Sequence, residues 1–149
     1  MAPKWIAAAL MTIVVFAGLG HPAEAKDRVD IAVITILASQ DSNYIDPGLS
    51  STIRELQRVF RYSSYRLISR DRLRLALTQT GSVSLPGGRR LQITPASIQG
   101  NRVGLQLGIF KNRQQIFRTT VQLRNRSSMT VGGPKHKGGY LLFNISSSF

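Results

Sequence analysis

Residues 103–123 read VGLQLGIFKNRQQIFRTTVQL, and this stretch decides the architecture. Val103, Leu105, Leu107 and Ile109 alternate with Gly104, Gln106 and Gly108. After Lys111, Asn112 and Arg113 the alternation resumes at Phe117, Thr119, Val121 and Leu123. A spacing of two puts the apolar side chains on one face of a pleated strand, so the segment reads as two antiparallel strands joined by a tight turn.

The same text extends both ways. Upstream, Leu85-Pro86-Gly87-Gly88 has turn residues, Leu91 and Ile93 lie on a strand ending at Pro95, and Gly100-Asn101 turns the chain again. Downstream, Asn125 to Ser127 is a turn and Met129 to Val131 a short strand. Gly132 to Gly139 (GGPKHKGG) reads as a loop, and Tyr140 to Ile145 as a closing strand. From Ser82 onward the expectation is an antiparallel β meander.

The preceding part reads differently. Val29 to Ala38 (VDIAVITILA) is a β-branched run, expected as a buried strand, and Gln40 to Tyr44 is a polar loop. Asp46-Pro47 can open a helix, with Asp46 accepting from free N–H groups and Pro47 at the first helical position. Leu49, Ile53, Leu56 and Phe60 recur on one helical face, and the helix is expected to end near Arg61. Tyr65 to Ser69 reads as a second strand. Residues 72–80 fit a strand or a short helix capped by Asp71; the spacing of Leu73, Leu75 and Leu77 favours the strand. The fold class expected is α+β: a strand–helix–strand unit over 26–80, then a basic antiparallel β part over 81–149.

Residues 1–25 carry the layout of a cleavable signal peptide. Lys4 gives a positive start, Ile6 to Leu19 is an apolar run without charge, and Ala23-Glu24-Ala25 is a small-x-small cleavage pattern. Fourteen residues of helix span about 21 Å, short of the roughly 30 Å hydrocarbon core, which argues against an anchor. Cleavage after Ala25 leaves a single exported domain of residues 26–149, periplasmic or extracellular, with no second apolar run long enough to span a membrane as a helix. The absence of cysteine excludes disulfides, thiolate metal sites and a lipoprotein anchor.

Charge divides the chain sharply. Residues 26–71 hold seven bases and six acids; residues 72–149 hold nine Arg, three Lys and no acid. The second half therefore cannot supply a carboxylate pair, the acid of a Ser-His-Asp triad or a carboxylate-rich Ca²⁺ site. Its positive potential favours anionic partners. In an up-and-down meander alternate turns share one end of the sheet, which collects Arg89, Arg90, Lys111, Arg113, Lys135, His136 and Lys137 into one basic rim. Exposed N–H groups of glycine-rich turns can face oxyanions as well. This rim is the candidate binding surface.

Other motifs fall short of chemistry. Gly132 to Gly139 lacks the G-K-[ST] ending of a nucleotide-binding loop and is flanked by strands. His136 is the only histidine after residue 25, so no two-histidine metal site can form. Ser63-Ser64 and Ser146 to Ser148 have no base nearby in sequence. Asn125-Arg126-Ser127 and Asn144-Ile145-Ser146 match the glycosylation sequon, which matters only in a glycosylating pathway. Tyr62 and Tyr65 beside Arg61 and Arg66 could stack and pair with single-stranded nucleic acid, but packing within the sheet suits their spacing better. Asp41 and Asp46 are the pair of acids in the first half weighed for an enzyme, and Asp46 is better explained as a cap. Leu141, Phe143, Ile145 and Phe149 share a strand face in the manner of the terminal strand of outer-membrane barrels, whereas the helix, the length and the missing aromatic girdles argue against a barrel.

The stretch Val121-Gln122-Leu123-Arg124-Asn125, with Met129-Thr130-Val131-Gly132-Gly133 and Leu141-Leu142-Phe143, resembles the strand–Asn turn–strand–Gly-Gly pattern of secretins, the ring-forming outer-membrane channels of secretion and pilus systems. The strand–helix–strand unit is similar in kind to their periplasmic domains. Arg126 stands where the turn glycine is usual, Pro134 follows the Gly-Gly, and the chain is far shorter than a secretin. The resemblance implies a small envelope protein or secretion-apparatus accessory.

Together these readings point to a non-enzymatic, cofactor-free binding or assembly module of the cell envelope. Its partner would be an envelope protein, docked through the rim and free sheet edges, or an anionic polymer or lipid headgroup held by the rim. Nucleic acid ranks below both, as does a small outer-membrane-associated β protein.

Overall fold

In a computed structural model the described residues are 28–149. The signal peptide, its cleavage site at Ala25 and the start at Lys26 lie outside them. Eight strands account for most of the chain: β1 (Arg28–Ser39), β2 (Ser64–Ala76), β3 (Gly81–Leu85), β4 (Arg89–Gln99), β5 (Arg102–Lys111), β6 (Gln114–Arg124), β7 (Ser127–His136) and β8 (Gly139–Ser148). They form two four-stranded sheets, ordered β2-β1-β8-β7 and β3-β4-β5-β6, with every strand pair antiparallel.

The alternation along residues 103–109 is the reason the sheets stack. Val103, Leu105, Leu107 and Ile109 of β5 are buried with Leu91 and Ile93 of β4. They meet Val29, Ile31 and Val33 of β1 and Leu141, Phe143 and Ile145 of β8 in one core. The result is a β-sandwich, in which each sheet turns one apolar face inward. The apolar face of β8 is thus used in the core between two separate sheets.

The α+β expectation is corrected by this arrangement: the described chain is nearly all antiparallel β with one short α-helix. β1 and β2 are direct antiparallel partners from Arg28↔Ala76 to Ser39↔Ser64, so the helical segment is an excursion within a long hairpin. That segment is also broken. Asp46 caps a 3-10 turn at Pro47–Leu49, accepting from the Gly48 N–H at 2.9 Å, and α1 follows as only Ile53–Val59. Ser50, Ser51 and Thr52 intervene, residues whose side chains compete for backbone hydrogen bonds and weaken a helix. The apolar face is nonetheless placed as its spacing implied. Leu49 and Leu56 are fully buried, with Ile53 and Phe60 against them, under the outer side of the first sheet beside Ile36, Ala38, Tyr65 and Leu142.

Two further differences concern continuity. Residues 65–69 and 72–76 are one strand, β2, with a register shift opposite Thr35/Ile36; the strand stops at Ala76, before Thr78 turns at φ 68°. The meander ends at β6. At Asn125-Arg126 the chain leaves the second sheet for the first, and the N–H groups of these residues donate to Asn101 O and Ser147 O. The Asn125 amide clamps Phe149 by two hydrogen bonds of 2.7 and 2.9 Å. The strand–Asn turn–strand segment over 121–131 is therefore split between sheets and is not a hairpin.

Candidate basic binding rim

Both passages between the sheets, β2 to β3 and β6 to β7, occur at the pole where Arg28, Ala76, Arg102 and Arg124 lie. Gly100-Asn101, the β4–β5 tip, is at this pole too, and the other three tight hairpin tips are at the opposite one: Pro86-Gly87-Gly88, Asn112-Arg113 and Lys137-Gly138. The tips are short because their backbones enter the left-handed region. Asn112 and Arg113 have φ 51° and 64°, and Lys137 and Gly138 have 42° and 76°, the twist that suits two-residue hairpin turns. The expected loop at Gly132–Gly139 is instead strand up to His136, with a bulge between Gly132 and Lys135.

The structure brings all seven rim residues to this pole. Arg89 is the tie between them. Its Nε donates to Pro86 O at 3.1 Å and its Nη1 to Lys135 O at 3.0 Å, while Nη2 lies 3.2 Å from His136 Nδ1. One guanidinium thereby joins the β3–β4 tip to the β7–β8 tip, and across the β4–β5 ladder Arg89 pairs with Lys111 of the third hairpin. Arg89 is half-buried and occupied with internal partners, so it organises the rim more than it presents charge. Arg90, Lys111, Arg113, Lys135 and Lys137 are exposed. Lys135 Nζ stands 5.9 Å from the Tyr140 ring centroid, within reach of a cation–π contact.

His136 is held below its usual value of 6.5, first by burial and then by the positive charges of Arg89 and Lys137. Its neutral imidazole can accept from Arg89 at Nδ1. The local field that resists a proton on His136 is the field an anion would relieve. One acid approaches the rim: a Cβ built on Gly138 would lie 3.2 Å from Asp41 Oδ2. Asp46 is engaged elsewhere, with its second oxygen accepting from the Leu67 N–H at 3.3 Å.

Two hollows indent this pole. One, of about 470 Å³, lies between the β3–β4 and β5–β6 tips and is lined by Arg89, Arg90, Asn112 and Arg113; it runs on to Gln92 and Phe110, which sequence reasoning had not singled out. The other, of about 350 Å³, lies along Lys135 to Tyr140. Positive charge is not confined here. A trough of about 700 Å³ at the opposite pole carries Arg72, Arg74 and Arg126 among serines, with Arg74 Nε 3.7 Å from Asp30 Oδ1. Among the described residues no group of three or more His, Cys, Asp or Glu could hold a metal ion, and no helix is long and apolar enough to cross a membrane. No known family, curated protein or solved structure matches the chain.

Proposed function

We propose that this protein is an exported, non-enzymatic binding module of the cell envelope that docks an anionic partner through the basic rim. The observation that carries the reading is the Arg89 tie, which holds tips from residues 86–88 and 137–138 together at one pole with Lys111 and Arg113 beside them. Exposed cations are gathered there on tight turns, where little backbone motion must be lost on binding. The acid-free second half leaves the field largely uncompensated.

The test is binding of residues 26–149 to vesicles with and without phosphatidylglycerol and to a polyuronate, over a salt series. R90S/K111S/R113S/K137S should weaken binding and flatten the dependence of log K on log salt by about 3, four contacts at ~0.7–0.9 each. Unchanged affinity and slope for every anionic probe would remove the rim from the reading. N-terminal sequencing of the exported form should begin at Lys26.

A protein partner is the second reading, favoured by one observation. β6 pairs only with β5, so eleven residues have an unpaired edge, and Ile116 on it is 46% exposed. Such an edge can accept an added strand. Salt separates the readings, since a packed edge-to-edge contact responds to ionic strength far less than a field of cations.

A further inference from the structure

The side of the second sheet that faces away from the core repeats a pattern across its strands. Ladder partners form three rows. Nearest the rim, Arg90 pairs with Phe110 and Phe110 with Gln115; next, Gln92 pairs with Gly108 and Gly108 with Arg118; last, Thr94 pairs with Gln106 and Gln106 with Thr120. Their chain neighbours Leu91, Ile93, Leu107 and Ile109 point inward and are buried.

Gly108 leaves room in the middle of this face for an aromatic ring. The Phe110 ring lies over it, so that a Cβ at position 108 would fall 3.0 Å from Phe110 Cε2 and 3.3 Å from Gln115 Nε2. The floor is thus an aromatic ring at backbone level, flanked by Gln92 on one side and Arg118 on the other. A hollow of about 140 Å³ here shares Gln92 and Phe110 with the larger hollow at the rim. The two adjoin at Gln92 and Phe110, and together they trace a trough from the Arg90/Arg113 tips along the strands. From Arg90 to Thr94 it covers about 13 Å at ~3.3 Å per residue.

We infer that this trough is the binding site of an extended anionic polysaccharide, with the sugar ring on Phe110, its hydroxyls on the Gln92, Gln106 and Gln115 amides, and its acidic substituents on Arg90 and Arg118. The inference rests on the rim reading and names its ligand class. Amides supply both a donor and an acceptor, as hydroxyls require, and arginines grip carboxylate, sulfate or phosphate by two parallel hydrogen bonds. No acid exists anywhere in residues 72–149 to repel such a chain. A lipid headgroup would engage the tips and leave the face of the sheet untouched. Single-stranded nucleic acid is bound by stacking successive bases on several aromatics, and Phe110 is the one aromatic among the described residues of these three rows.

Calorimetric titration of residues 26–149 with an oligogalacturonate, a neutral dextran oligomer, phosphatidylglycerol vesicles and oligo(dT) tests this. The oligogalacturonate should bind at least tenfold more tightly than dextran. Q106A/R118S, both exposed and outside the core, should weaken it at least fivefold and leave vesicle binding unchanged, whereas K111S/K137S should weaken both. Phe110→Leu, which keeps apolar cover on Gly108 but removes the ring, should weaken only the sugar. Full oligogalacturonate affinity in Q106A/R118S would overturn the trough and leave the rim standing. K111S/K137S without effect on either ligand would overturn the rim. Tighter binding of oligo(dT) than of oligogalacturonate would replace the polysaccharide by nucleic acid.

Discussion

Gly132 and Gly133 are neighbours in β7, identical in chemistry, and the structure expects opposite outcomes when each becomes alanine. A Cβ on Gly132 meets nothing within 4 Å. A Cβ on Gly133 would fall 2.5 Å from Phe143 Cε2 and 2.9 Å from Leu141 O. Neither neighbour can give way cheaply. Phe143 is 1% exposed in the centre of the core, and the Leu141 carbonyl belongs to β8, which is hydrogen-bonded on both sides. Overpacking a core by one methyl costs about 1–3 kcal/mol, and a clash that includes backbone belongs at the upper end. Gly132→Ala restricts only the unfolded chain and should be neutral or stabilising by up to about 1 kcal/mol. Neither glycine has a positive φ, so strain does not confuse the comparison. At roughly 3–6 °C per kcal/mol for a domain of this size, Gly133→Ala should melt about 6–18 °C below the parent, while Gly132→Ala stays level or rises. Urea denaturation and thermal melts by circular dichroism measure both. Equal stability of the two variants would refute the packing of Phe143 against the β7 bulge.

Asp46→Ala removes the cap on Gly48 N–H and the bond to Leu67 N–H, and should cost about 1 kcal/mol in urea denaturation without touching rim binding. Leu105→Ala, at a fully buried position of β5, should cost about 2–5 kcal/mol in the same measurement. Because the folded pKa of His136 lies below the unfolded value of about 6.5, the unfolded chain takes up its proton first; stability should fall as pH drops below about 6.5 and level off beneath the folded pKa. His136→Gln should abolish that part of the pH dependence in urea denaturation, and in the parent a bound anion should raise the imidazole pKa, readable by NMR titration. Asn125→Ala forfeits both hydrogen bonds to Phe149 and should speed amide exchange at the end of β8.

Local periodicity carried most of what could be read beforehand. The alternations of β5 and around Leu91 and Ile93 give their inward faces directly, and Pro86-Gly87-Gly88 and Gly100-Asn101 mark the turns that separate strands. Which strands become partners is another matter, because period two is the same in either sheet. Nothing in Asn125-Arg126 distinguishes a hairpin from a passage between sheets; the distinction lies in hydrogen bonds to Asn101 and Ser147, each more than twenty residues away. The helix was over-read for a related reason. Leu49, Ile53, Leu56 and Phe60 do share an apolar face, but three weak helix formers between them end the first turn before the second begins. The seven rim residues were readable as neighbours because alternate tips share a pole even when the chain changes sheets at the other pole. The trough was hidden because its floor is defined by an absent side chain at Gly108 and by the register of three strands.

β8 lies between β1 and β7, although it is the last of the eight strands in chain order. Its ladder with β1 joins Asp30 to Ser148 and Ala38 to Tyr140, a closure across nearly the whole described chain. β1 and β2 can zip together as a hairpin, yet β1 keeps its other flank bare until β8 arrives from more than a hundred residues away. Loop closure over that distance is entropically costly and slow, and the open flank invites intermolecular pairing meanwhile. Assembly of the first sheet therefore waits on the strand farthest from β1 along the described residues, and deleting Gly139–Ser148 would take out a keystone that β1 and β7 both lean on.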